Sequence, residues 1–271
     1  MNTMKSYALE NDKEFERLER QSQCESYNFE MELQGFNPKQ NGTILDAGSG
    51  SGIVSRYLAK RFNEATVVGC DFSLQRVVQA SEYSKALNNL SFKMEDLTQL
   101  SFSPASFDAI VCRYVVEHLS QSVVGKAFSE LYRCIKPNGI IRIVDIDGYL
   151  YNIFPRTELM EKVFAKVQGN PSVNFCIGRQ IPDLLAKAGF TSISWKIETM
   201  QFRGESLQQE IQMVTERFQN ALNFLTQITG SESESRQFIQ DYLKSLQQPN
   251  AVLFYNKFLV DGVKNTLKKV T

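Results

Sequence analysis

The stretch Thr43–Ser55, TILDAGSGSGIVS, constrains this chain more than any other. An apolar run from Thr43 leads through Asp46 to Gly48, Gly50 and Gly52 at alternate positions, after which helix-forming residues resume. Glycines at a strand–helix junction let the backbone turn tightly and approach a ligand closely, because no Cβ intervenes. A glycine-rich turn without a ligand is the plainer alternative, and three alternating glycines disfavour it.

The flanking pattern repeats strand, helix, strand. Further strands are predicted at Thr66–Cys70, Leu90–Lys93, Phe107–Cys112 and Ile140–Ile146, with helices at Gly52–Phe62, Leu74–Leu87 and Ser122–Ile135. Such alternation predicts an α/β fold, a doubly wound and mostly parallel sheet covered on both faces. Lys136-Pro137-Asn138-Gly139 reads as a turn. Beyond Asp147, Leu159, Met160, Val163, Phe164 and Val167 make one helical face, Pro182–Ala188 a short helix closed by Gly189. Two more strands, Ser192–Ile197 and Ala251–Val260, bring the expected sheet to seven. Between those two lies a helical insert over about 205–247, with Leu207, Ile211, Val214, Phe218, Leu222 and Leu225 at three- and four-residue steps, and with Ser231–Ser235 as its break. Its stripe must be covered, which makes it either a lid or the seam of a homodimer. Residues 1–40 read as an N-terminal helical cap, ended by turn signals, and 41–271 as the main domain.

Composition narrows the function. The 271 residues carry 30 Lys+Arg against 30 Asp+Glu and are 42% hydrophobic, which excludes disorder as the main state. Zero formal net charge disfavours nucleic acid as a partner. No apolar run reaches a membrane span and no signal-peptide pattern opens the chain, so a cytoplasmic protein is expected. Five scattered cysteines without a CxxC and a single histidine, His118, indicate neither a metal site nor a disulfide framework.

The glycine loop does not fit the dinucleotide pattern GxGxxG: counted from Gly48 the last position is Ile53, and from Gly50 it is Ser55. The stretch is instead Asp-x-Gly-x-Gly-x-Gly, and it resembles the first motif of class I S-adenosylmethionine-dependent methyltransferases, in the small-molecule, ubiquinone- and menaquinone-methylating branch. Met94-Glu95-Asp96-Leu97, Ser106–Val111 and Lys136–Gly139 resemble later motifs, with Asn138 where glycine is commoner; together they span roughly residues 40–150. The resemblance implies a Rossmann-like fold with S-adenosylmethionine as cofactor and S-adenosylhomocysteine as product. It implies cofactor contacts from Asp46, Gly48, Gly50 and Gly52. Asp71, 19 residues after Gly52, would accept the ribose hydroxyls. Phe72 would pack on the base, Asp96 accept its amine, and the Leu97 N–H face the ring. Three acids also have a structural alternative: Asp46 as a helix cap, Asp71 as a structural residue before Ser73, itself a plausible N-cap, and Asp108 as a strand-edge solvator.

Arg113, directly after the fourth strand, would bind the methionine carboxylate bidentately or else form a surface ion pair. His118 is the one candidate general base, needed only if the acceptor must lose a proton; its other reading is packing at a helix start. Tyr114, Asp145, Asp147 and Tyr149 leave strand ends on the ligand side and are candidates for the acceptor pocket. Tyr7-Ala8-Leu9-Glu10, Glu16–Gln21 and Ile177–Pro182 resemble a subgroup in which an N-terminal helix closes over the cofactor, implying that Arg20 or Gln21 faces it. The expected activity is methyl transfer to an oxygen, nitrogen or carbon of a small molecule. The alternatives are a cofactor-binding partner subunit without turnover and a nicotinamide oxidoreductase on the related fold.

Overall fold

The computed structural model describes residues 14–22 and 24–265. Eight strands, β1 Thr43–Ala47, β2 Thr66–Asp71, β3 Leu90–Met94, β4 Phe107–Arg113, β5 Ile135–Asp147, β6 Ile153–Phe154, β7 Thr191–Phe202 and β8 Val252–Val263, form one sheet. Its order is β3-β2-β1-β4-β5-β8-β6, with β7 also on β8. The first five strands run parallel, and β8 is antiparallel to β5, β6 and β7. The seven strands expected are present. The extra one, β6, is two residues long and ends at Pro155, too short to show a period.

Helices α1 Glu14–Ser22 and α2 Phe29–Glu32 precede the sheet; α3 Ile53–Arg61, α4 Leu74–Tyr83 and α5 Val124–Cys134 cross between parallel strands. β1 and β4 are buried on both faces, as continuous apolar runs in a parallel sheet require. On one face Ile44, Val67, Ala109 and Val111 pack against Val54 and Leu58 of α3 and against Leu33 and Phe36. On the other, Leu45, Ile110 and Ile143 meet Phe128 and Leu131 of α5 and Ile181 and Leu185 of α7, Ile181–Ala188. The strand order reverses between β1 and β4. Ligands sit at the carboxyl ends of strands at such a switch point, and here the glycine loop and residues 113–118 both emerge.

Lys136–Gly139 does not separate α5 from β5. β5 begins at Ile135, and these residues bulge between the pairs Phe107–Ile135 and Ala109–Ile140, with Asn138 at a φ of +62° and its N–H on the Lys264 carbonyl.

Between β7 and β8 run α8 Gly204–Asn220, α9 Leu222–Thr229 and α10 Glu232–Leu246. The breaks fall at Ala221 and at Gly230, whose φ is +82°; Ser231 caps α10 through the Glu234 N–H, so Ser231–Ser235 starts a helix rather than interrupting one. The stripe Met213, Val214, Phe218, Leu225, Phe238 and Tyr242 is buried on Met160, Val163 and Phe164 of α6, Glu158–Gln168, and on Tyr255. Leu207 and Ile211 of the expected stripe are partly buried against the same cluster. No helix among the described residues is long and apolar enough to cross a membrane.

Candidate functional site

The glycine loop is fixed from below. The Gly48 and Ser49 N–H groups both donate to the Cys70 carbonyl at 2.8 Å, tying the loop to the end of β2. Gly48 has a φ of +81°, and a Cβ there would overlap a Val115 methyl, so conformation and space both demand glycine. Asp46 is buried and accepts the Ser55 hydroxyl at 2.5 Å. Burial pushes its carboxyl up to about 6, against the pull of that hydrogen bond and of Arg113. Asp46 therefore bonds to the side chain of α3 rather than capping its backbone, and it positions the loop.

Asp71 closes the loop from the side. Its Oδ2 accepts the Gly50 N–H at 2.8 Å and its Oδ1 the Ser73 N–H at 2.9 Å, with Arg76 at 4.0 Å. A carboxylate has about four acceptor positions, so each oxygen keeps one for a ligand hydroxyl. The Phe72 ring beside it is 46% exposed at the end of β2. Asp96 is exposed; its Oδ1 takes the Thr98 N–H and hydroxyl, both at 2.7 Å, and no partner of its Oδ2 is present among the described residues. The Leu97 side chain is buried in the core. Within the loop the Ser49 hydroxyl is buried without a hydrogen-bond partner among the described residues. A buried hydroxyl awaiting a partner, a carboxylate with spare lone pairs and an exposed ring on one rim fit a nucleoside-bearing ligand.

Past β4 the structure corrects several expectations. Arg113 makes its ion pair inside the fold rather than at the surface. Its guanidinium pairs through Nε with the fully buried Glu32, donates to the Tyr27 carbonyl at 2.8 Å and stacks 4.3 Å from the Tyr114 ring centroid. Glu32 also accepts Tyr114 at 3.1 Å and Lys257 at 3.0 Å. Asp145 does not face an acceptor: it lies fully buried under the turn at 115–117, accepting the N–H groups of Val115, Val116 and Glu117 on Oδ2 and of Ile146 on Oδ1. Asp147 likewise turns away, holding Arg179 at 2.8 Å and 2.5 Å and thereby docking the Ile177–Pro182 segment on the end of β5. Tyr149 does reach the region under the inserted helices: its hydroxyl accepts Arg217 at 3.2 Å and its ring packs 5.0 Å from Tyr255.

His118 lies in the 3-10 turn Val116–His118, with Glu117 at 3.5 Å. Burial and the guanidiniums of Arg76 and Arg17 hold its pKa down to about 4, which makes it a neutral imidazole and a feeble base near neutrality. Helix α1 does lie on the glycine loop: a Cβ at Gly50 would come within 3.2 Å of Leu18, and Glu19 pairs with Arg56 at 2.7 Å. The buried charged residue of α1 is Arg17, one turn before those expected. Arg20 pairs with Glu216 of α8 at 2.8 Å, and Gln21 accepts Arg17 at 2.9 Å. Tyr7–Glu10 lies outside the described residues.

Five polar residues here had escaped notice: Arg17, Glu32, Glu117, Glu210 and Arg217. Arg217 donates to Glu210 at 2.7 Å and to Tyr27 at 3.1 Å, and Tyr255 donates to Glu210 at 3.1 Å. A signal for this pair exists, because Glu210, Met213 and Arg217 share the buried face of α8 at steps of three and four. Among the described residues no group of three or more His, Cys, Asp or Glu is arranged to hold a metal.

Known proteins add to this geometry. A family model described as a methyltransferase domain matches residues 44–139. The sterol 24-C-methyltransferase of Clavispora lusitaniae is 31% identical over 113 residues, 41% of this chain and 29% of that protein. The demethylmenaquinone methyltransferase of Beutenbergia cavernae is 27% identical over 180 residues, 60% of this chain and 72% of that one. This chain thus spans under a third of the sterol relative. A Haemonchus contortus phosphoethanolamine N-methyltransferase, solved with S-adenosylhomocysteine, superposes with a TM-score of 0.57 at 20% identity, covering 89% of this chain and 53% of that one. Sheet order, glycine loop and family match agree on a Rossmann-like α/β fold in which residues 44–139 match a methyltransferase domain.

Proposed function

We propose that the chain is an S-adenosylmethionine-dependent methyltransferase acting on a small-molecule acceptor. The observation that carries this reading is the Asp71 carboxylate, locked to the Gly50 N–H at 2.8 Å while each oxygen keeps an acceptor position at the switch point. Asp71 would take the ribose hydroxyls, Phe72 the adenine face and Asp96 the exocyclic amine. Asp46 and Gly48 fix the loop that must approach the methionine moiety closely. When bound, S-adenosylmethionine supplies a methyl already activated on a cationic sulfur. The chain's own task is then to align the acceptor with that carbon and to exclude water. Tyr27, Tyr114 and Tyr149 supply apolar walls, and α1 covers the glycine loop.

Calorimetric titration with S-adenosylmethionine tests this, with NADH as control. Micromolar binding of the methyl donor, weakened at least about tenfold by Asp71→Ala, is expected, since a hydrogen bond to a charged group contributes roughly 1.5–3 kcal/mol. Binding of NADH alone, or a donor affinity indifferent to Asp71→Ala, would overturn it.

A further inference from the structure

The polar cluster under α8 has acceptors without donors. Glu210 is fully buried; its Oε1 takes Arg217 and Tyr255, while its Oε2 has no hydrogen-bond partner among the described residues. Glu117, 7% exposed on the turn after β4, also has a buried and unpartnered Oε2. A buried polar atom left unpaired costs about 1–3 kcal/mol, so each of these oxygens is a place where an N–H or O–H donor is favoured. The two acids belong to one neighbourhood, since both act electrostatically on Tyr149 and on Arg217.

The same cluster is poorly equipped for an anion. Both terminal nitrogens of Arg217 already have acceptors: one holds Glu210 and Tyr149, the other Tyr27 and the Met213 sulfur. Burial and the neighbouring Asp145 carboxylate raise the Glu117 carboxyl, against the pull of Arg217 and Arg17. The rings of Tyr27 and Tyr149 flank the guanidinium, both centred 5.7 Å from it. Such faces favour cations and flat apolar bodies.

We propose that Glu117 and Glu210 form the acceptor-recognition site, and that its ligand is an amine on an aromatic body, donating to their two unpartnered oxygens. This rests on the methyltransferase reading and narrows it to nitrogen-bearing acceptors.

The test uses the full chain saturated with S-adenosylhomocysteine. Phenethylamine, tyramine and tryptamine are titrated calorimetrically, each beside its alcohol and carboxylate counterparts. At least one amine is expected to bind about tenfold or more tighter than both counterparts, and Glu117→Gln to remove that preference with S-adenosylhomocysteine affinity unchanged. Glu210→Gln is expected to do the same; if it does not fold, Glu117→Gln, which breaks no ion pair to a guanidinium, carries the test. Equal or tighter binding of the alcohols or carboxylates, no binding by any amine, or an amine preference that survives Glu117→Gln overturns the proposal. Failure of the wild-type chain to bind S-adenosylhomocysteine would instead overturn the methyltransferase reading on which it rests.

Discussion

The glycine-loop side and the side under α8 sit on the same sheet edge and are held by different means. Around Gly48–Asp71 the contacts are short in sequence and mostly backbone: two N–H groups on the Cys70 carbonyl, one on Asp71, one hydroxyl on Asp46. Under α8 they are side-chain ion pairs: Glu32 reaches Arg113 and Lys257 from distant segments, and Glu210 pairs along α8 with Arg217, whose guanidinium then ties to Tyr27 and Tyr149. On the proposed function, the cofactor loop is built from geometry that a few glycines and one acid encode, and the acceptor pocket from charges brought together by the fold.

The sharpest way to break this contrast is Glu32→Ala, which leaves Arg113 and Lys257 buried around a missing counter-charge. A stability loss of about 3–5 kcal/mol is expected in urea denaturation, because removing one partner of a buried pair strands the other. A loss below about 1 kcal/mol would mean that water or another acid takes its place. On the glycine side the corresponding lesion is conformational. Gly48→Ala should cost about 2–3 kcal/mol through its positive φ and the overlap with Val115, and should weaken cofactor binding by more than about tenfold. Adding Val115→Ala should return the steric part alone, which urea midpoints of the single and double variants would separate.

The smallest effect is at the opposite end of β4. Asp108, though burial opposes its charge, is held down to about 2 by Lys136 at 2.6 Å, the Thr43 N–H and Lys39. Its folded pKa lies below the unfolded value, so its contribution is complete above about pH 4 and disappears as pH falls toward 2; it amounts to at most about 2 kcal/mol. The stability gap between wild type and Asp108→Asn should be constant from pH 7 to 5 and narrow below pH 4.

This division also explains what the sequence reveals. The strands β1 to β4 and the loop at Gly48–Gly52 are local patterns, and the strand starts at Thr43, Thr66, Leu90 and Phe107 read directly from apolar runs. Arg113, Asp145 and Asp147 stand at strand ends, where ligand contact is a fair expectation. Their actual partners, Glu32, the 115–117 turn and Arg179, are set by chain reversals that no local pattern contains. Glu32 and Arg217 look like ordinary helix-surface charges until tertiary packing places Tyr27 and Lys257 against them.

The last two long strands carry one more consequence. Phe202 at the end of β7 pairs directly with Leu253 at the start of β8, so the three helices between them leave and return at adjacent points. As far as the sheet is concerned, residues 203–251 are the turn of a hairpin. A two-residue link could join the same strands with every ladder hydrogen bond kept. Excising the helices would bare Met160, Val163 and Phe164 of α6 together with Tyr255, so the loss would fall on side-chain packing and leave the ladder whole. That topology makes the segment over the Tyr27–Arg217 cluster an exchangeable graft: its helices can be replaced, lengthened or repacked while the sheet that carries the glycine loop stays as it is.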